Sequence, residues 1–205
     1  MNTRELRLST GFAVEKRADD DAAMPMITGY AAVFESETVI GGKEWGFREK
    51  IARGAFAEAI KNSDVRALFN HDEDLVLGRL KAGTLRLMED ERGLKVEIDP
   101  PDTQDARDLI KKMQRGDIDQ MSFAFTMEGG SQAWDETGDM PLRTIQRVGE
   151  LWDVSIVTYP AYPDTEAAAR SLAAVRKERQ RHNFTNAAKR WAERKAAQEQ
   201  KFRRI

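Results

Sequence analysis

The chain has 205 residues, 40% apolar and 33% charged, with no cysteine and only two histidines. This length suits one globular domain with an appendage. The composition excludes disulfides, thiolate metal sites and a cysteine nucleophile, and no apolar run approaches the ~18 residues of a membrane helix. The N-terminal stretch MNTRELRLSTGFAVEKRADDD is mixed in charge and lacks the apolar centre of a secretory signal, so a soluble, cytoplasmic protein is expected. The net charge of −2 is unevenly spread: residues 171–205 hold 11 Lys and Arg against 3 Asp and Glu, a balance of +8, which leaves −10 for residues 1–170. A basic tail follows an acidic body. Such a tail can bind nucleic acid or an acidic partner, but a solvated charged helix is the commoner outcome.

ITGYAAVFESETVI is rich in β-branched and aromatic residues and reads as a strand, with the glycines of GGKEWGF supplying a hairpin turn. RGAFAEAIKNSD spaces Phe56, Ala59 and Ile60 for a short helix. DVRALFNHDED reads as a strand running into an acidic turn. Alternation over Thr84–Met88 and Leu94–Ile98, joined by EDERG, predicts a hairpin. DTQDARDLIKKMQRG is the clearest helix: Asp102 or Thr103 can cap it, Ala106, Leu109, Ile110 and Met113 form its stripe, and Gly116 closes it. MSFAFTM is a strand, EGGSQAWDETGDMP reads as a loop, and RTIQRVGELWDVSIVTYPAYP returns to β character until Pro160 and Pro163. Beyond Thr165 the composition suits a helix that buries little. The expected organisation is a β-rich α+β domain over residues 1–165 and a basic, partly helical extension over 166–205.

The scarcity of histidine narrows the chemistry. No H-E-x-x-H, Walker loop or G-x-G-x-x-G is present, so a histidine-held zinc centre and nucleotide chemistry have no support. An all-carboxylate Mg2+ site stays open in so acidic a body. His182 lies in the polar tail, which leaves His71 as the one credible general base of a Ser-His enzyme. Strand alternation puts Met121, Phe123, Phe125 and Met127 on one face and Ser122, Ala124 and Thr126 on the other. Small side chains around Ser122 leave room for a substrate. On spacing alone, the commoner reading of Ser122 is a hydrogen-bonded strand filler or a solvent-facing residue, and that of His71 a surface residue in a charged turn.

The ordered segments ITGYAAVF, RGAFAEAI, FNHDEDLVLGRL, GLKVEIDPPDTQDARDLIKKMQRGDIDQMSFAF and LWDVSIVTYPAYPDT resemble the HK97-type prohead proteases of tailed bacteriophages, which are related to the herpesvirus assembly proteases. The likeness runs from Ile27 to Thr165. It implies a small antiparallel β-barrel surrounded by helices. It also implies a serine endopeptidase, without cofactor or metal, that works in the host cytoplasm inside the assembling prohead. There it would cleave the scaffold, the N-terminal part of the major capsid protein and itself. The family's N-H-D histidine falls on His71 and its S-F-x-F nucleophile on Ser122. A carboxylate must orient the imidazole, because the domain holds no second histidine. Asp153 matches the acidic position of the family's E-V-S segment, with Glu150 in reserve, and alternation sets the two on opposite faces. No segment matches the arginine motif of the herpesvirus relatives, so backbone amides are expected to supply the oxyanion site. The resemblance also brings a homodimer into view, and the +8 tail would suit an acidic scaffold or capsid surface. The rival reading is a non-catalytic assembly component that keeps a protease-like fold. The acidic body argues against nucleic-acid binding, and no membrane partner is expected.

Overall fold

The structure is a computed structural model that describes residues 4–10, 12–15, 24–41, 46–159 and 177. Among these residues there are thirteen strands and two helices. The strands are β1 (Glu5–Thr10), β2 (Phe12–Glu15), β3 (Met26–Val33), β4 (Thr38–Ile40), β5 (Phe47–Ile51), β6 (Arg66–Phe69), β7 (Asp72–Arg79), β8 (Leu85–Glu89), β9 (Gly93–Ile98), β10 (Gln120–Thr126), β11 (Ser131–Asp135), β12 (Leu142–Arg147) and β13 (Glu150–Val157). The helices are α1 (Ala57–Asn62) and α2 (Gln104–Arg115).

Three sheets form, with orders β1-β10-β13-β6-β7, β11-β12-β5-β4 and β2-β3-β9-β8. None closes into a barrel. The expected α+β class, a small antiparallel barrel surrounded by helices, is therefore corrected to a mostly β architecture. The pairing is not wholly antiparallel either, because β13 runs parallel to β6 and β12 parallel to β5. The error has three sources in the sequence. EGGSQAWDETGDMP contains β11 rather than only a loop, and Trp134 on it meets the Phe47 ring edge-on at 4.9 Å. The acidic DED opens β7 instead of forming a turn. The N-terminal stretch supplies β1, which turns its two leucines outward, and β2, which is only four residues long. The helical tail and the expected boundary at residue 165 fall outside the described residues.

The other elements follow the sequence closely. In α2 the Thr103 hydroxyl accepts from the Ala106 N–H, the four stripe residues are buried, and Gly116 ends the helix at φ 81°. A left-handed residue at that point suits glycine, which lacks the Cβ that makes this region costly. The turn that follows delivers the chain into β10. The core gathers Met121, Phe123 and Phe125 of β10, Leu151, Val154 and Ile156 of β13, and Val96 and Ile98 of β9. Phe56, at the start of α1, meets Phe123 edge-to-face at 5.3 Å and ties α1 to β10. Burying each such side chain stabilises the fold by ~1.5–3 kcal/mol.

A polar cluster lies at the inner face of β1. Arg143, Glu49, Glu5 and Arg7 are all buried, with Arg143 at 0% exposure. Arg143 donates to Glu5 at 2.6 and 3.0 Å, to Glu49 at 2.8 Å and to Gln132 at 2.6 Å. Arg7 donates to Glu5 at 2.6 Å, to Glu49 through two nitrogens, and to the Leu6 carbonyl at 2.7 Å. Two guanidinium groups and two carboxylates cancel in charge and fasten β1 to β5 and β12. Burial would raise the Glu5 carboxyl, but hydrogen bonding and charge from Arg143, with Arg7, hold it below the ordinary glutamate value. Burial would likewise lower the Arg7 guanidinium, and the charges of Glu49 and Glu5 reverse that too.

Candidate active site

β10 and β13 pair antiparallel, with Ser122 opposite Ser155 and Ala124 opposite Asp153. Cross-strand partners project from the same face, so Ser122, Asp153 and Ser155 share the face turned away from the core residues. Beside β13 runs β6 in parallel, with Leu68 opposite Ser155 and Phe69 opposite Ile156. Its end lies next to that trio. There Asn70 and His71 make a two-residue turn into β7, closed by the pair Phe69 and Asp72. Both turn residues have positive φ, 54° for Asn70 and 58° for His71. A type I′ hairpin requires this at both central positions, where Asn and Gly are the usual choice. Histidine at the second position is a strained substitute for glycine, at a cost on the order of 1–2 kcal/mol.

Asn70 holds the turn against the end of β13. Its N–H donates to the Ile156 carbonyl at 2.8 Å, and its side-chain oxygen accepts from the Thr158 N–H at 2.9 Å. The tight turn swings the His71 ring back over β13 and β10. Nε2 lies 2.8 Å from Ser122 Oγ, and Nδ1 lies 2.6 Å from Asp153 Oδ1. The tautomer that satisfies this chain has Nδ1–H donating to Asp153 while the Ser122 hydroxyl donates to Nε2. Ser155 Oγ donates to the same Asp153 oxygen at 2.7 Å. Ser122 is completely buried and the His71 side chain is 17% exposed, so the imidazole edge is the part open to solvent.

The three residues His71, Ser122 and Asp153 thus stand within hydrogen-bond reach of one another along one line. Glu150 does not join them. The expectation that alternation would separate Glu150 from Asp153 is corrected by a bulge: Ala124 pairs with Asp153 and Phe125 with Leu151, which leaves Trp152 as the extra residue. The bulge resets the alternation, and Glu150 opposite Thr126 returns to the face of Ser122. It lies further along the strand, away from the imidazole. Ser155 was not anticipated, although its signal was present: two residues after Asp153 on a strand means the same face. Asn70 was legible too, as an Asn directly before the histidine at a strand end. The segment 128–143, expected as a loop, is largely the β11–β12 hairpin of the second sheet.

Among the described residues, no group of three or more His, Asp or Glu stands close enough to hold a metal ion, and no helix is long and apolar enough to cross a membrane. The sequence profile of the caudovirus prohead serine proteases matches residues 12–178, well over half of the chain. The chain belongs to this family. Membership places it among the serine proteases of phage capsid maturation. Among solved structures it is similar to the bacteriophage T4 capsid assembly protease at 13% identity, with a TM-score of 0.47 over 78% of this chain and 100% of that one. No curated protein matches the chain.

Proposed function

We propose that this prohead protease is an active serine endopeptidase in which Ser122 is the nucleophile, His71 the general base and Asp153 the residue that orients and stabilises the imidazole. The observation that carries the reading is the unbroken chain from Ser122 through His71 to Asp153. As the Ser122 oxygen attacks the scissile carbonyl, its proton passes to His71 Nε2, and the imidazolium is stabilised by the Asp153 carboxylate. Collapse of the tetrahedral intermediate breaks the C–N bond, and the same proton leaves with the amine. Water, deprotonated by His71, then hydrolyses the acyl-serine and restores the hydroxyl. Ser155 acts on Asp153 rather than on substrate: its hydrogen bond fixes the carboxylate that faces Nδ1. Backbone amides around Ser122 supply the oxyanion site.

The substrates in this reading are the scaffold, the N-terminal segment of the major capsid protein and the protease itself, met inside the prohead in the host cytoplasm. Residues 1–165 form the catalytic domain and 166–205 a basic extension that engages an acidic scaffold or capsid surface, with a homodimer as the working form. The deciding experiment expresses the wild type and Ser122→Ala with their capsid and scaffold partners and follows chain masses over time. Loss of every cleavage in the variant, including shortening of the protease, is the expected result. Undiminished cleavage by the variant would overturn the assignment of Ser122. Absence of processing in both would favour a purely structural assembly role.

A further inference from the structure

The N-terminal strand has its polarity reversed. Glu5 and Arg7 point into the protein, while Leu6 and Leu8 lie half-buried on the outer face, opposite Ala124 and Ser122 in the register with β10. Apolar side chains left partly open beside a reactive hydroxyl add little to stability, but they are available to a ligand. On the far side of β1 the surface sinks into a cleft of about 440 Å3. Its apolar wall includes Leu6, Leu8, Val33, Val39, Ile40 and Ile51, and Gln120 of the Ser122 strand also lines it. Val39 is 57% exposed. Arg7, Glu49 and Lys50 also line the cleft, but Arg7 is paired with Glu49 and Lys50 with Glu35, so they offer a ligand no unmet charge.

Around Ser122 the β13 side is filled by the His71 ring, Asp153 and Ser155. The β1 side is not. Neighbouring strands lie ~4.8 Å apart and an extended chain advances ~3.3 Å per residue, so a peptide crossing from Ser122 over β1 reaches the cleft in about two to three residues. We propose that this cleft is a specificity subsite that receives a large aliphatic or aromatic side chain carried two or three residues from the scissile bond, on one side of it. The volume falls in the range of small-ligand pockets and the lining is of matching chemistry. The proposal rests on Ser122 being the nucleophile, and its test keeps the two apart.

The full-length protein is incubated with a proteome-derived peptide library, and the new termini are identified by mass spectrometry. In parallel the wild type is treated with a fluorophosphonate probe and labelling at Ser122 is mapped. Large apolar residues should be enriched at one position two or three residues from the cut. In a peptide taken from the cleaved set, replacing that residue by Asp should lower kcat/KM about tenfold or more. Val39→Glu should shrink the ratio of kcat/KM between the apolar peptide and its Asp version, and Val39→Trp, which narrows the cleft, should shift preference toward smaller side chains. Labelled enzyme with no positional preference, or variants that keep the wild-type ratio and size preference, would overturn the subsite and leave the nucleophile standing. Neither labelling nor cleavage by the wild type would overturn both.

Discussion

The sheet β1-β10-β13-β6-β7 carries a polar cluster on each face, and the two are built in opposite ways. On the inner face Arg7, Arg143, Glu5 and Glu49 are buried, neutral as a group and engaged from several sides. On the outer face Ser122, His71, Asp153 and Ser155 form a single line of hydrogen bonds, with one strained residue at its centre and an imidazole edge open to water. The inner cluster leaves no group free to react, so its energy goes into fixing β1 against β5 and β12. The outer one keeps its proton carriers in sequence and exposed at one end, which is the arrangement that proton transfer needs. A buried polar group becomes chemical when its satisfaction runs through one movable proton.

The contrast can be broken first from the outer side. Asp153→Asn should lower kcat/KM by about 10^4-fold, the order seen when a triad carboxylate is removed, with the protein still folded. Glu150→Gln, on the same face but off the line, should stay within about twofold. Peptide kinetics on the two variants would reverse the assignment if Glu150→Gln were the damaging change. On the inner side, Arg143→Ala leaves Glu5 and Glu49 short of a partner in a dry site, and thermal or denaturant unfolding should show a loss of about 3–5 kcal/mol. A loss below about 1 kcal/mol would mean that water reaches the cluster.

The strained turn offers a smaller and sharper comparison. His71→Gly and His71→Ala both remove the imidazole and should both abolish catalysis, but only glycine accepts φ near 58° without cost. The glycine variant should therefore be more stable than the alanine variant by about 1 kcal/mol. Equal stabilities would show that the turn relaxes once the ring is gone.

The smallest effect is that of pH on Glu5. Its carboxyl is held below the ordinary glutamate value of 4.5 in the folded protein, so the unfolded chain binds the proton more readily. The stabilisation is complete above that ordinary value and is lost as pH falls through the depressed folded one. Urea midpoints should drop over that acid range in the wild type, and drop less in Glu5→Gln, whose baseline is already lower. Parallel curves would mean that other carboxylates carry the acid response.

Short-range patterns stated much of this in the sequence. The stripe and caps of α2 are local, because 3.6-residue periodicity and a terminal glycine are properties of one segment. The face of Ser122 was legible for the same reason, since alternation along MSFAFTM needs no partner strand. The closed barrel was an inference too far, because closure depends on which edges pair. The strand β11 was hidden by the glycines before it and the acids at and beyond its end, and β1 by leucines that point outward.

What the sequence by itself determined are those local choices, together with the residue types able to do chemistry: one histidine in the body and one serine in a strand of small and large alternating residues. Only the tertiary structure decided that a two-residue turn with both φ positive would lay His71 over Ser122, and that a bulge at Trp152 would return Glu150 to the face that Asp153 shares with them. It alone decided that β1 would close its charges inside. Register, bulges and the pairing of distant strands arise from contacts between residues far apart in the chain, and no window along the sequence contains both partners.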